Sequence, residues 1–159
     1  MAYHQRRQAM PPIRPETAMN PCTRFARSLI PILFAIAAFG GAGSAHAEKI
    51  VLQVSDGNTV TWNQTLNVIE NLREAYGRDT QIELVAFGQG INMLKFDAPI
   101  ASRLLEAQTK LGAKVYACEN SMGRNKLSRN DMAADVIYVK AGIEHIITRQ
   151  REGWVNIRP

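Results

Sequence analysis

A chain of 159 residues with 46% hydrophobic and 21% charged positions is ordinary globular material, which excludes a low-complexity protein and points to one domain. The formal charge of +5 does not mark a nucleic-acid or membrane-surface binder, because Arg6, Arg7, Arg14, Arg24 and Arg27 all precede residue 30 with one acid, Glu16, among them. Without those five arginines and that glutamate the net charge is about +1, so the basic charge is no argument for an anionic partner, and no nucleic acid is expected.

The leading 47 residues have the three parts of a secretory signal peptide. A basic stretch precedes an apolar run over 29–39, and a small-residue segment closes on Ala45-His46-Ala47, an A-x-A pattern before Glu48. The run is about 11 residues, whereas a membrane-spanning helix needs about 20. Gly40, Gly41 and Gly43 interrupt it before the cut site. Cleavage after Ala47 is expected, with export to the periplasm or secretion, no stable membrane insertion, and a single domain over 48–159. An uncleaved anchor is the alternative, and Met19 is an alternative start. Arg6-Arg7 lie too far from the apolar run for a twin-arginine signal, and no cysteine after the cut site suggests a lipid anchor.

Cysteine usage follows from the leader. Cys22 leaves with it, and Cys118 stays unpaired. A leftover thiol in an oxidising compartment is buried and inert, pairs between molecules, or is kept for its reactivity.

From Glu48 onward the chain alternates strand-like and helix-like segments. Residues 49–54, 81–87, 113–117, 135–139 and 154–157 are rich in β-branched and aromatic side chains and read as five short strands. Trp62, Leu66, Ile69, Leu72 and Tyr76 fall on one helical face, and Gly77 follows as a C-terminal cap. A second helix begins after Asp97 and Pro99, carries Ile100, Leu104, Ala107 and Leu111, and ends at Gly112. A third runs from about Ala141 through Ile143, Ile146 and Ile147 to Gly153. This alternation predicts an α/β fold, three-layer α/β/α and flavodoxin-like, with about five mainly parallel strands.

Open α/β sheets bind ligands beyond the carboxyl ends of their strands, above all where the strand order reverses. With a flavodoxin-like order 2-1-3-4-5, the loop after the first strand, with Asp56, Gly57 and Asn58, faces the loop after the third, with Cys118, Asn120, Ser121 and Arg124. Cys118 is then the floor of the cleft and Trp62 its wall. Arg124 and Lys126 are candidate cations to favour the thiolate, and Glu119 opposes them. The competing reading is a small hydrophobe finishing its strand.

Other features carry less. Gly88-Gln89-Gly90 lacks the third glycine of a dinucleotide loop and reads as a turn. His145 reads as structural or solvated, and Met122 as packing rather than as a copper ligand with Cys118.

The stretches KIVLQVSDGNTVTWNQTLNVIENL, VAFGQGINML, GAKVYACENSM and VIYVKAGIEHIITRQREGWVNIRP together resemble the DsrE/DsrF-like proteins, in the branch whose members are often exported. The resemblance covers the whole of 48–159. It implies a flavodoxin-like fold assembled as a homo-oligomer, a trimer or larger. It also implies that Cys118 matches the cysteine on which sulfur-relay members carry sulfane sulfur as a persulfide between a donor and an acceptor, with no metal or organic cofactor. The relay members work in the cytoplasm, so the leader is a departure that leaves donor and acceptor unnamed. Two other functions fit the same residues: a non-catalytic module that binds phosphate or a nucleotide in the loop after the first strand, and a structural subunit in which Cys118 packs.

Overall fold

The structure, a computed structural model, describes residues 47–159, so all but the last residue of the expected signal peptide lies outside the described residues. The elements in chain order are β1 (Lys49–Val54), α1 (Thr59–Tyr76), β2 (Gln81–Ala86), a 3-10 segment (Gly88–Leu94), α2 (Ala101–Thr109), β3 (Lys114–Cys118) and α3 (Glu119–Arg124). A second 3-10 turn (Arg129–Asp131), β4 (Val136–Val139), α4 (Gly142–Arg151) and β5 (Val155–Ile157) complete them.

The strands form one sheet, and every pairing in it is parallel. Strands buried on both faces read as unbroken apolar runs. β2, at the centre, is buried from Ile82 to Ala86. The expected α/β class with three layers holds, but the strand order does not. It is β4-β3-β2-β1-β5, so β2 lies between β1 and β3 and separates the two loops expected to face each other.

The layers follow from that order. A parallel crossover is right-handed, so steps in one direction across a sheet place their helices on one face and a return step places its helix on the other. From β1 to β4 the chain moves steadily outward, and α1 and α2 with the Gly88–Leu94 segment cover one face. That face buries Leu52, Val54, Leu84, Ala86, Val115 and Ala117 against Trp62, Leu66, Ile69, Ile91 and Leu104. The return from β4 to β5 carries α4 across the opposite face, where Val51, Val85 and Tyr116 meet Ile146 and Trp154. Of the apolar residues expected to face inward from the third helix, Ile146 does, while Ile143 and Ile147 are exposed.

Local sequence explains the element ends. Asn58 caps α1, its Oδ1 accepting the Val60 N–H at 2.9 Å, and Gly77 (φ 77°) ends the helix. Gly88 and Gly90 belong to neither turn nor nucleotide loop. They let the 3-10 segment lie on the end of β1, where a side chain at Gly90 would run into the Val54 carbonyl. The segment after Cys118, expected as a loop, is the six-residue helix α3, too short to show a helical period in the sequence.

Candidate functional site

Cys118 is the last residue of β3 and the residue before α3, and it is 5% exposed. Side chains alternate along a strand, so Ala117 faces the α1 layer and Cys118 shares the α4 face with Tyr116. The N-terminus of α4 lies over it. A Cβ built on Gly142, the first residue of α4, would stand 3.3 Å from the Cys118 Cβ, 3.2 Å from the Phe87 Cβ and 3.2 Å from Val85. Burial pushes the thiol up, but the Ser121 hydroxyl and the N–H groups of Gly142, Ser121 and Asn120 donate to the sulfur and bring it below its ordinary value. Ser121 is held for this task. Its oxygen accepts the Gly88 N–H at 2.8 Å, which leaves its own hydrogen for the sulfur. The Asn120 N–H is shared with the Lys140 carbonyl at 3.2 Å.

Beneath this site lies a buried charge. Glu83, on the central strand, is 2% exposed. Its Oε1 accepts from the Tyr116 hydroxyl at 3.0 Å and from Arg149 Nη2 at 2.9 Å. Its Oε2 accepts from Arg149 Nε at 2.8 Å and from His145 Nε2 at 2.8 Å. Burial pushes the carboxyl up, but hydrogen bonds from Arg149, His145 and Tyr116 and the Arg149 charge outweigh it and hold Glu83 ionised below its ordinary value. A carboxylate only accepts, so His145 carries its proton on Nε2. The Tyr116 and His145 rings stack at 4.3 Å between centroids, and Arg149 lies over the Trp154 ring at 4.9 Å.

No protein-family model matches the chain, and no curated protein does. Solved structures do. MTH1491, a protein of unknown function from Methanobacterium thermoautotrophicum, is 28% identical with a TM-score of 0.66, the match covering 70% of this chain and 99% of MTH1491. The ychN protein of E. coli is 12% identical with a TM-score of 0.55, over 71% of this chain and 99% of its own. BT1422, a conserved protein of unknown function from Bacteroides thetaiotaomicron, is 14% identical with a TM-score of 0.54, over 70% and 95%. The chain has the DsrE-like fold.

Within this DsrE-like domain the expected site residues divide. Asn120 and Ser121 reach Cys118. Arg124 is exposed at the far end of α3, and the donors to the sulfur are neutral groups rather than the expected cations. Asp56, Gly57, Asn58 and Trp62 lie beyond β2, and three of them are occupied with the start of α1. Asp56 Oδ1 accepts the Asn58 N–H at 3.0 Å, and the Trp62 indole donates to the Asp56 carbonyl at 2.9 Å. Trp62 packs in the core on the opposite face of the sheet from Cys118. The strand order reverses between β1 and β5, where Arg158 donates to the Ser55 hydroxyl at 3.3 Å, not beside β3. What distinguishes Cys118 is the return crossover, which brings a second helix N-terminus to it.

Gly142, Glu83, Tyr116 and Arg149 were not among the sequence-derived site residues. One signal was legible: Glu83 is the lone charge inside the apolar strand QIELVA, and a charge in a strand buried on both faces needs a partner. A cavity of about 260 Å³ opens beside the start of α4, lined by Val139, Lys140, Ala141, Glu144, His145 and Thr148. A larger one, about 310 Å³, lies at the opposite end of the sheet against Gln81 and Lys114, the first residues of β2 and β3. It is remote from the thiol. Among the described residues no group of three His, Cys, Asp or Glu side chains is placed to hold a metal.

Proposed function

We propose that this DsrE-like domain carries sulfane sulfur as a persulfide on Cys118, working after export and as a homo-oligomer of three or more copies. The observation that carries the reading is the set of neutral donors on the Cys118 sulfur, from the Ser121 side chain and from the first turns of α3 and α4. Such donors favour the thiolate, the nucleophilic form, and suit any anionic sulfur species that replaces it.

The chemistry is thiol exchange. The Cys118 thiolate attacks the sulfane sulfur of a persulfide or polysulfide donor, a new S–S bond forms, and the donor's own S–S bond breaks with its electron pair leaving on a thiolate or shorter polysulfide. Cys118 then holds a persulfide anion. An acceptor thiolate attacks the outer sulfur, takes it, and returns Cys118 as thiolate, so the cycle needs no external oxidant or reductant. With Cys118 5% exposed, small inorganic polysulfide is the favoured donor.

The phosphate-binding alternative has less support. The loop after β1 would need free N–H groups, yet those of Asn58 and Val60 already donate to side-chain oxygens. The deciding experiment is intact-mass and peptide mass spectrometry after incubation with polysulfide. Sulfur gained on the Cys118 peptide and lost in Cys118→Ser supports the relay, and an unmodified Cys118 under conditions that load a control thiol overturns it. Sedimentation tests the assembly, and a monomer at working concentration removes that part of the proposal.

A further inference from the structure

The cluster around Glu83 is the other feature of the α4 face, and it bears on the thiol above it. His145 and Arg149 stand one turn apart on α4, and both bond the same carboxylate of the central strand. Three residues before His145 is Gly142, whose backbone lies against Cys118, with 3.3 Å between the Cys118 Cβ and the place a Gly142 Cβ would take, and whose N–H favours the thiolate. Tyr116, two residues before Cys118 on β3, completes the grip by bonding Glu83 and stacking on His145. Little else ties this layer to the sheet by side-chain polarity, and Ile143 and Ile147 on the outer side of α4 are exposed.

We infer that Glu83 is a positioning residue for Cys118: by holding His145 and Arg149 it sets α4 where the Gly142 N–H meets the thiol sulfur. The inference deepens the reading of Cys118 as the reactive thiol and rests on it. A buried carboxylate with four donors is a directional anchor, because a shift of α4 by a fraction of an ångström strains several short bonds at once. An apolar contact of the same size would permit sliding.

The ionisable groups on the elements around Cys118 are few. Glu119 on α3 pairs with Arg129 at 2.8 Å, Arg124 is exposed at the far end of α3 and Lys114 at the start of β3, Lys140 lies in the turn before α4, and Glu144, His145 and the exposed Arg151 lie on α4. Beneath them Arg149 pairs with both Glu83 and Glu152 at 2.8 Å, so loss of the Glu83 charge by itself would favour the thiolate and lower the midpoint, opposite to the effect of a displaced Gly142.

The test is the pH profile of iodoacetamide labelling at Cys118 in the purified protein, read by peptide mass so that Cys22 is separated. Glu83→Gln keeps the shape and removes the charge. The midpoint of its profile is expected to rise by about one pH unit, about tenfold less thiolate at any pH below the midpoint. Arg149→Lys keeps the charge, loses the two-point grip, and shifts the midpoint the same way by less. Should Glu83→Gln fail to fold, the lysine variant decides. Ile69→Val, in the core on the other face, controls for lost stability and should leave the midpoint in place. Folded Glu83→Gln or Arg149→Lys protein with the unaltered midpoint overturns the inference. Because the readout is alkylation of the free thiol, that result leaves sulfur loading untouched, and a protein that never accepts sulfane sulfur still tests the positioning.

Discussion

Gly142 and Cys118 meet at van der Waals contact, with only 3.3 Å between the Cys118 Cβ and the place a Gly142 side chain would begin, and the glycine N–H helps to hold the thiol below its ordinary value. Two elements far apart in the chain, β3 and α4, are joined there without a side chain between them.

Gly142→Ala tests that contact. In an open helix, Gly→Ala gains stability because alanine is the better helix former. Here the added methyl would be 3.2 Å from both Phe87 and Val85 and would push the start of α4 off the sheet. The sign therefore reverses, with a loss of about 1–3 kcal/mol expected from overpacking. Urea denaturation measures it, and a gain in stability would show that α4 gives way freely.

Ser121→Ala removes a donor from the sulfur and strands the Gly88 N–H that the hydroxyl accepts at 2.8 Å. The stability loss expected is about 1–3 kcal/mol, the penalty of an unsatisfied buried donor. The thiol midpoint should climb toward the ordinary range, so labelling near neutral pH slows. Faster labelling at unaltered midpoint would mean that the hydroxyl only shields the sulfur.

Glu83 makes stability depend on acid. Its folded carboxyl titrates below the ordinary value of 4.5, so its contribution is full above that value and is lost as pH falls through the lower folded one. Glu83→Gln should lose about 1–3 kcal/mol near neutral pH, because the amide cannot accept from all four donors of the buried carboxylate, while Arg149, 24% exposed, keeps Glu152 at 2.8 Å. The gap between variant and wild type should narrow in denaturation curves taken at descending pH below 4.5. A constant gap would assign the loss to packing.

Reagent size tests access to the thiol. With Cys118 5% exposed, a small haloacetamide should label it much faster than a bulky aromatic disulfide does, and denaturant should erase the difference. Equal native rates would mean that α4 opens readily above the sulfur.

Much of this was legible in the chain. The runs KIVLQV, QIELVA and VIYV are strands because β-branched residues suit a pleat buried on both sides, and Trp62, Leu66 and Ile69 mark the inner stripe of α1. Cys118 falls at the end of β3 by the same local rules, and Asn120 and Ser121 reach it because they follow it directly. Local pattern fails where distance enters. α3 has six residues, fewer than a hydrophobic period needs to declare itself, and Ile143 and Ile147 share a helical stripe with Ile146 although only Ile146 meets the sheet.

The sequence by itself determined that there would be five strands with helices between them and one thiol at the carboxyl end of the third. Strand order belongs to the tertiary structure, because each parallel strand pairs equally well by its own residues with several neighbours, and only the packing of all the crossovers selects one arrangement. That choice set β2 between β1 and β3 and left Asp56, Asn58 and Trp62 away from Cys118. It also sent α4 back across the free face, 24 residues beyond Cys118 in the chain, so that Gly142 meets the thiol and Glu83 finds His145 and Arg149.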